Sequence, residues 1–415
     1  MASAGNSSIY AELLANIHQI SLAASLSSPS DASTRVAIAV DGTTVELRHH
    51  DEVQTLSLPS RIALGGQILP INPKQTGTTS LSWRLTLHNS VRLQPRGYES
   101  IVESVWSAID FNAGAEVSCR QCSGVVVGGG AASVWKDLPS ENWAEMMEFW
   151  HCHKPADHPH HDPHDSDKDG SGKADEESLA ARGYGASSIV AAQKGVGFVD
   201  LTTLMFSDSD CQNLTFSSSS YEYGVPVIKD LPLAESQAGK NRSLNVFCAS
   251  CHTQLGFYVF RSGGVALNKW KISCQSISGA APSIAECLAS TIISITARSG
   301  SSKSLVVPIA EAATTPKDAG KDKQTAIHLW VLNSNIIYSS SSGTERGISA
   351  IKLFYRLITR EEADRMLDKV AQDAQEISLP ADAINEVIRH LDASNLLLPL
   401  TERLFKEWKV GLLTR

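Results

Sequence analysis

Four of the eight cysteines in this 415-residue chain fall in two Cys-x-x-Cys pairs, and they are the clearest candidates for chemistry. The pairs are Cys119/Cys122 and Cys248/Cys251. A two-residue spacing lets both sulfur atoms of a pair face the same ion, and four thiolates complete a tetrahedral site of the kind that binds zinc. We therefore predict one structural zinc ion that ties two distant segments of the chain together.

A second set of ligands lies closer together in sequence and stays open at this point. It consists of Cys119, Cys122, Cys152 and His153. An interleaved two-zinc module needs about eight ligands, which this set does not supply. Gly124 follows the first pair by two places, where its conformational freedom suits a tight turn.

Cys152 stands near the end of the stretch LPSENWAEMMEFWHCHKP, residues 138–155, which we call the SENW segment. We predict that it forms an amphipathic helix, because Ser140 can cap the first turn and Pro155 ends it. Trp143 and Trp150 recur at helical spacing and would share its apolar face.

Three uses of Cys152 compete. It is a candidate catalytic nucleophile, because His151, His153 and Lys154 would favour a thiolate, although the end of a helix opposes one. It is also a candidate ligand for a metal ion, either in this chain or in a partner. The third use is packing against the aromatic residues of the segment. The candidate partner-binding residues are Trp143, Trp150, Cys152 and His153.

The SENW segment is followed by a stretch of different composition, ADHPHHDPHDSDKDGSGKADEE, at residues 156–177. It has no large apolar residue that could offset the entropy of ordering, so we predict a disordered insertion. Its histidines could also bind metal weakly; they are His158, His160, His161 and His164.

Composition limits the classes of partner. The formal net charge of −8 argues against direct nucleic-acid binding and against an anionic membrane surface. No apolar run reaches the ~18 residues of a membrane span, and the N-terminus lacks a secretory signal pattern. We therefore expect reduced cysteines and a location in the cytoplasm and nucleus. Sequence motifs of hydrolases, phosphate loops and dinucleotide binding are absent.

Hydrophobic periodicity predicts the elements that must position these residues. We predict an N-terminal helix over 9–26, a hairpin around Asp41-Gly42, and strands that include 292–296. In the C-terminal part of the chain, the pattern predicts three helices: one capped at Thr359, one that begins at Pro380, and one over 400–408.

The predicted fold class is α+β, with a β-rich body, a zinc-tethered inserted helix and C-terminal helices. The predicted segments are a β-rich part with the first pair and the SENW helix (1–155), the insertion (156–177), a second β-rich part with the second pair (178–358), and the C-terminal helices (359–415).

The SENW segment and the Cys119/Cys122 pair also resemble a known family. The resemblance extends to Phe247-Cys248-Ala-Ser-Cys251 with Leu255-Gly256, to Leu329-Trp-Val-Leu332, and to Ala350-Ile-Lys-Leu-Phe-Tyr355. From about Tyr10 to near the C-terminus the chain is similar to the HECT-like ubiquitin-conjugating-enzyme-binding proteins, also described as ubiquitin ligases.

The resemblance implies binding of a ubiquitin-conjugating enzyme and ubiquitin-protein ligase (transferase) activity. It also implies a link to messenger-RNA 3′-end processing through a zinc-dependent endonuclease. One departure matters: no cysteine follows Cys287, so the late thioester cysteine of a true HECT ligase has no counterpart here.

Two functions of different class follow. In the first, the protein binds a ubiquitin-conjugating enzyme and promotes ubiquitin transfer. In the second, it is a non-catalytic binding protein that stabilises or restrains the zinc-dependent endonuclease through residues 143–154.

Overall fold

The computed structural model describes two compact units, of which unit 1 comprises Met1–Glu103, Ile284–Ala310 and Thr315–Arg415 and unit 2 comprises Ser104–Ser283 and Glu311–Thr314. The predicted SENW helix and the predicted insertion lie outside the described residues, as do the predicted boundaries at 155 and 177, so those predictions stand as made. The described residues are 7–63, 65–88, 105–138, 190–218, 225, 243–277, 280–309, 324–343, 347–368 and 373–415.

The described residues form an α+β structure that is rich in strands, as predicted. The helices among them are α1 Ile284–Ser299, α2 Arg360–Leu367 and α3 Ala381–Asn395. The strands are β1 Ser8–Leu14, β2 Gln19–Ser25, β3 Arg35–Ile38, β4 Thr44–His49, β5 Glu52–Ser57, β6 Ser80–Thr86, β7 Val117–Cys119, β8 Val125–Val127, β9 Val134–Asp137, β10 Val196–Val199, β11 Thr203–Ser207, β12 Leu214–Ser217, β13 Ser243–Cys248, β14 Gln254–Val259, β15 Gly264–Asn268, β16 Ile272–Cys274, β17 Lys303–Pro308, β18 Thr325–Ser340, β19 Ile348–Thr359, β20 Ala374–Leu379, β21 Leu404–Phe405 and β22 Trp408–Thr414.

Unit 1 is built on a nine-stranded sheet with the order β21-β22-β19-β18-β1-β2-β6, to which β17 adds beside β18 and β20 beside β17. A small sheet, β3-β4-β5, contributes to the apolar core beside β1 and β2. Unit 2 contains a seven-stranded sheet, β12-β13-β14-β15-β11-β10-β9, and a three-stranded sheet, β16-β7-β8. The two sheets of unit 2 share one apolar core.

The predicted N-terminal helix is wrong: residues 8–25 form the antiparallel pair β1–β2, joined through a short 3-10 turn that ends at His18 in the left-handed region. β1 lies between β18 and β2 and is buried on both faces. Ile9 and Leu13 enter one apolar cluster, and Tyr10 enters another. A strand buried on both faces lacks polar–apolar alternation, so its apolar run imitates a helix.

Two further predicted elements are wrong for related reasons. Residues 292–296 lie inside α1, where Ile292 and Ile295 are buried. β-branched residues favour strands only slightly, so tertiary packing of the helix outweighs that preference. The apolar residues of 400–408 form a 3-10 turn and the hairpin of β21 and β22, with Lys406 left-handed in the turn. Pairing of β22 with β19 decides that outcome.

Other predicted elements are confirmed. The hairpin of β3 and β4 turns at Asp41-Gly42, where Gly42 has a φ of +72°. The side chain of Thr359 accepts a hydrogen bond from the N–H of Glu362 at 3.2 Å and caps α2. α3 begins directly after Pro380.

Ion pairs of Lys352 link β1 and β19 of unit 1 to the 3-10 turn that contains Glu402. Lys352 Nζ donates to Glu12 Oε2 at 2.7 Å and to Glu402 Oε2 at 3.0 Å. Tyr10 Oη donates to the same Glu12 oxygen at 3.0 Å. Burial alone would lower the pKa of Lys352, but the two carboxylates outweigh it and raise that pKa. These contacts give hydrogen-bond partners to four polar side chains, those of Tyr10, Glu12, Lys352 and Glu402.

We predict that Lys352→Met destabilises unit 1 by about 3–5 kcal/mol, because it leaves the Glu12 carboxylate charged and buried without its cation. Denaturant unfolding followed by circular dichroism measures the change. The matched control is Arg48→Ala, which removes the solvent-exposed Arg48–Glu46 pair and should leave the unfolding midpoint unchanged. Equal midpoints for Lys352→Met and wild type would contradict the assigned role of the pair.

Candidate metal centre

The first Cys-x-x-Cys pair lies in the turn of the β7–β8 hairpin. We call residues 119–124 the first knuckle. Cys119 ends β7, and its carbonyl accepts from the N–H of Ser123 at 2.8 Å. The N–H of Cys119 donates to the carbonyl of Gly124 at 2.8 Å, which closes the loop. Ser123 has a φ of +59°.

The second pair repeats this arrangement in the turn of the β13–β14 hairpin, residues 248–253, which we call the second knuckle. Cys248 ends β13, and its carbonyl accepts from the N–H of His252 at 2.9 Å. The N–H of Cys248 donates to the carbonyl of Thr253 at 2.9 Å, and His252 has a φ of +59°. Two segments with different sequences therefore adopt the same closed turn.

In each turn the residue with a left-handed backbone lies one place before Gly124 or its equivalent, Thr253, whereas the sequence predicts the tight turn at Gly124. Ser123 and His252 take that conformation, whereas Gly124 does not have a positive φ. A Cβ on Gly124 would lie 3.4 Å from Cys122 Sγ, an ordinary contact, so the position does not require a glycine for space either. The lack of a φ requirement explains why Thr253 fills the equivalent place.

The four sulfur atoms converge on one point. Cys119 Sγ lies 3.6 Å from Cys251 Sγ, and Cys122 Sγ lies 3.6 Å from Cys248 Sγ. All four atoms lie within 4.8 Å of one another. A disulfide needs ~2.05 Å. A tetrahedral ion with ~2.3 Å bonds to sulfur places its ligands ~3.8 Å apart, so the spacing fits a shared ion.

Backbone N–H groups already point at the sulfur atoms. Those of Cys122 and Gln121 face Cys119 Sγ, that of Gly124 faces Cys122 Sγ, and that of Thr253 faces Cys251 Sγ. N–H groups in these places favour thiolates over thiols, because they stabilise negative charge. The turns are therefore prepared for anionic ligands.

Two neighbouring thiols of the cluster, Cys119 and Cys251, have pKa values shifted in opposite directions. Burial raises the pKa of the Cys119 thiol to about 12. Burial also acts upward on Cys251, but the hydroxyl and N–H of Thr253 and the neighbouring sulfurs outweigh it and lower its pKa to about 6. Thr253 Oγ1 lies 3.3 Å from Cys251 Sγ. A bound cation would favour the thiolate form of all four groups, because metal binding displaces the thiol protons.

Asn213 holds the two knuckles together, and sequence reasoning missed it. Its side-chain Nδ2 donates to the carbonyl of Val125 at 2.8 Å, just after the first knuckle. Its own carbonyl accepts from the N–H of Ala249 at 2.8 Å, inside the second knuckle. Asn213 has a φ of +54°, which an asparagine tolerates better than most residues. A single asparagine in a polar loop carries no signal that would have identified it.

The structure brings together the metal-ligand set that the cysteine spacing predicts. The structure does not test the rival ligand set, because two of its members, Cys152 and His153, lie outside the described residues. The same holds for the candidate partner-binding residues, which are Trp143, Trp150, Cys152 and His153. Cys274 and Cys287 are buried, as expected of core thiols. Cys211 is half-buried and donates to the carbonyl of Ser207 at 3.4 Å.

Unit 2 also contains the strand that leads into the SENW segment. β9 ends at Asp137, and the N–H of Leu138 donates to the carbonyl of Val199 at 2.7 Å. Trp135 stacks on Phe111 with ring centroids 4.1 Å apart, and its ring covers the cross-strand partner Gly197. The start of the segment is thus anchored in the unit that holds the four cysteines.

Comparison with known proteins agrees with the resemblance read from the residues. A family profile described as HECT-like ubiquitin-conjugating enzyme (E2)-binding matches residues 12–410. The uncharacterised protein C1734.10c of Schizosaccharomyces pombe is 25% identical over 343 residues, 80% of this chain and 83% of that protein. The uncharacterised protein YJR141W of Saccharomyces cerevisiae is 22% identical over 334 residues, 80% of this chain and 79% of that protein. No solved structure matches the chain.

We predict that the purified protein carries about one equivalent of metal in this cluster, and that Cys119→Ser and Cys248→Ser each lose it. Each variant removes one of four ligands from a different hairpin. Elemental analysis of the purified proteins measures the metal content. Cys211→Ser is the matched control, a half-buried cysteine of the same unit outside the cluster, and should keep the metal. Loss in Cys119→Ser alone would favour the rival ligand set.

We further predict that Gly197→Ala destabilises unit 2 by about 1–3 kcal/mol through overpacking. The new Cβ would lie 2.6 Å from two ring carbons of Trp135, which is too close for any side chain. Thermal unfolding measures the effect. The control is Gly128→Ala, whose nearest neighbour would be Gln212 Nε2 at an ordinary 3.8 Å. Equal stability of the two variants would show that Trp135 does not depend on the glycine.

Proposed function

Because the chain belongs to the family of HECT-like ubiquitin-conjugating enzyme (E2)-binding proteins, we propose that it binds a ubiquitin-conjugating enzyme and promotes ubiquitin transfer. The observation that carries the proposal is the match over residues 12–410, which includes parts of both units and the SENW segment. Both relatives are uncharacterised, so their names support no particular activity.

We propose that the ion in the four-cysteine cluster is zinc and that its role is structural. Thiolates suit zinc, and a site with four protein ligands leaves no open position for a substrate. Cys119 and Cys248 are fully buried at the ends of two strands, which supports a role in folding. When bound, the ion would supply a cross-link between the two hairpins of unit 2.

The proposed contact with the E2 is the SENW segment, through Trp143, Trp150, Cys152 and His153. Its support is the position of β9, whose last residue, Asp137, directly precedes the segment. Asp137 Oδ1 accepts from the N–H of Ala108 at 2.8 Å. Tryptophan residues are frequent at the energetic centre of protein interfaces, because they bury a large apolar area.

If Cys152 acts as the nucleophile, its thiolate attacks the carbonyl carbon of the ubiquitin thioester on the E2. A bond then forms between Cys152 Sγ and that carbon, the bond to the E2 sulfur breaks, and the E2 cysteine leaves as a thiolate. An amine of the substrate later displaces Cys152 in the same way and loses a proton to solvent. If Cys152 only contacts the partner, no such adduct forms and transfer runs directly from the E2.

The predicted alternative, restraint of a zinc-dependent mRNA 3′-end-processing endonuclease, rests on the same segment. The residues that would make that contact lie outside the described part of the chain, and neither relative's name refers to such a partner. It stays a prediction, as does the location in the cytoplasm and nucleus. Among the described residues, no helix is long and apolar enough to cross a membrane.

We predict that the protein retains at least one E2 from a panel of purified, ubiquitin-charged E2 enzymes and accelerates loss of ubiquitin from it. Binding is measured by co-elution, and discharge by gel electrophoresis with and without a thiol reductant. A reductant-sensitive adduct on the protein identifies the thioester route. In that case Cys152→Ser should hold ubiquitin as a reductant-resistant ester.

The matched control is Cys211→Ser, which should bind and discharge the same E2 at the wild-type rate. If ubiquitin leaves the E2 faster but no adduct forms, the protein acts by positioning the charged E2, and Cys152 only contacts the partner. If no E2 of the panel binds, the proposed function is wrong, whatever the metal content of the protein.

A further inference from the structure

Three metal-ligating side chains meet in unit 1, apart from the four cysteines. His49 is the last residue of β4, His50 begins the turn between β4 and β5, and Asp31 lies in the loop between β2 and β3. One ligand atom from each lies within 4.8 Å of the others. The left-handed conformation of His50, with a φ of +50°, directs its side chain back toward His49.

Both imidazole rings are oriented by hydroxyl groups. His49 Nδ1 lies 2.9 Å from Thr34 Oγ1, and His50 Nδ1 lies 3.3 Å from Ser33 Oγ. The two Nε2 atoms face a common point, because both contact Ser28 Oγ, at 2.8 Å and 3.2 Å. A hydrogen bond to the second ring nitrogen fixes the orientation of a histidine ligand, and here the two hydroxyl groups supply that contact.

The carboxylate of Asp31 is also held in place. Its Oδ1 accepts from the hydroxyl of Ser33 at 2.6 Å and from the N–H of Ser33 at 2.8 Å. These two hydrogen bonds fix the orientation of the carboxylate. Its Oδ2 remains directed at His50 Nε2, 3.5 Å away. Tetrahedral ligands at ~2.0–2.1 Å from an ion stand ~3.3 Å apart, close to that distance.

The site is open to solvent on the side of His50 and Asp31, so an ion can reach it. The side chain of His49 is buried, whereas those of His50 and Asp31 are 50% and 48% exposed. The buried imidazole provides a rigid base, and the exposed side can accept solvent ligands. Ser28 Oγ lies between the imidazoles and can turn aside or serve as a further oxygen ligand.

We propose that Asp31, His49 and His50 form a second cation site that takes a divalent transition metal such as Zn²⁺ through two imidazole Nε2 atoms and one carboxylate oxygen. Imidazole and carboxylate ligands select metals of this class over Ca²⁺ or Mg²⁺, which prefer oxygen alone. The bound ion ties the loop between β2 and β3 to the β4–β5 turn. With three protein ligands and an open side, it binds less tightly than the four-cysteine cluster.

The test uses full-length protein in which the histidine-rich stretch is silenced by His158→Asn, His160→Asn, His161→Asn and His164→Asn. A weak chelator removes loosely held metal, and Zn²⁺ alone is then titrated in a calorimeter. We expect one saturable equivalent beyond the metal of the four-cysteine cluster. Asp31→Asn and His50→Asn should each weaken that equivalent at least tenfold.

Both variants preserve the local structure. Asparagine at 31 keeps the Oδ1 that accepts from Ser33, and asparagine at 50 tolerates the positive φ. The matched control is His18→Asn, the same substitution at a residue with a φ of +53°, and should bind like the parent protein. Thermal unfolding of each variant without added metal verifies its fold.

A second readout assigns the ion to its ligands. Co²⁺ added in place of Zn²⁺ should give d–d bands of nitrogen and oxygen ligation at this site, without the sulfur-to-cobalt charge-transfer bands of thiolates. The proposal is overturned if the parent shows no additional saturable equivalent, or if either variant binds Zn²⁺ as tightly as the parent. It is equally overturned if the additional Co²⁺ shows thiolate bands.

Discussion

The convergence of four sulfur atoms is the constraint on which unit 2 depends. Cys119 belongs to the three-stranded sheet and Cys248 to the seven-stranded sheet, so an ion bound by the four sulfur atoms would join both sheets at the ends of their hairpins. The contacting pairs are separated by 126 and 132 residues. Closing loops of that length costs entropy, which a metal–thiolate cross-link offsets. The turns themselves need little adjustment, because their N–H groups already face the sulfur atoms.

Unit 1 solves a different problem, since its central strand has no polar face. β1 is covered on both sides by apolar clusters, and the single acid in its buried run, Glu12, is neutralised by Lys352 from β19. A buried pair of this kind contributes modestly to stability, but breaking it is costly, so it favours the observed register of β1 in the sheet over alternatives.

Sequence reasoning succeeded where chemistry and spacing are local. The two Cys-x-x-Cys pairs, the Asp41-Gly42 turn and the cap at Thr359 can each be read within a few residues, and the structure places them as expected. It failed where burial on two faces removed the alternating pattern, as in β1, and where helix packing overrode β-branched composition, as in α1. Asn213 was missed because a lone asparagine carries no signal, and the group of Asp31, His49 and His50 was missed because Asp31 lies in a different loop from the two adjacent histidines.

By itself the sequence determined that the four paired cysteines are candidate metal ligands, which family the chain resembles and that strands predominate. Those properties follow from residue type and short-range order, which need no knowledge of distant neighbours. Only the tertiary structure decided that the cysteine pairs of two separate hairpins meet at one point. It also decided that the left-handed residue is Ser123 in the first turn and His252 in the second. Pairings over more than a hundred residues depend on the packing of whole sheets, and no local pattern records that packing.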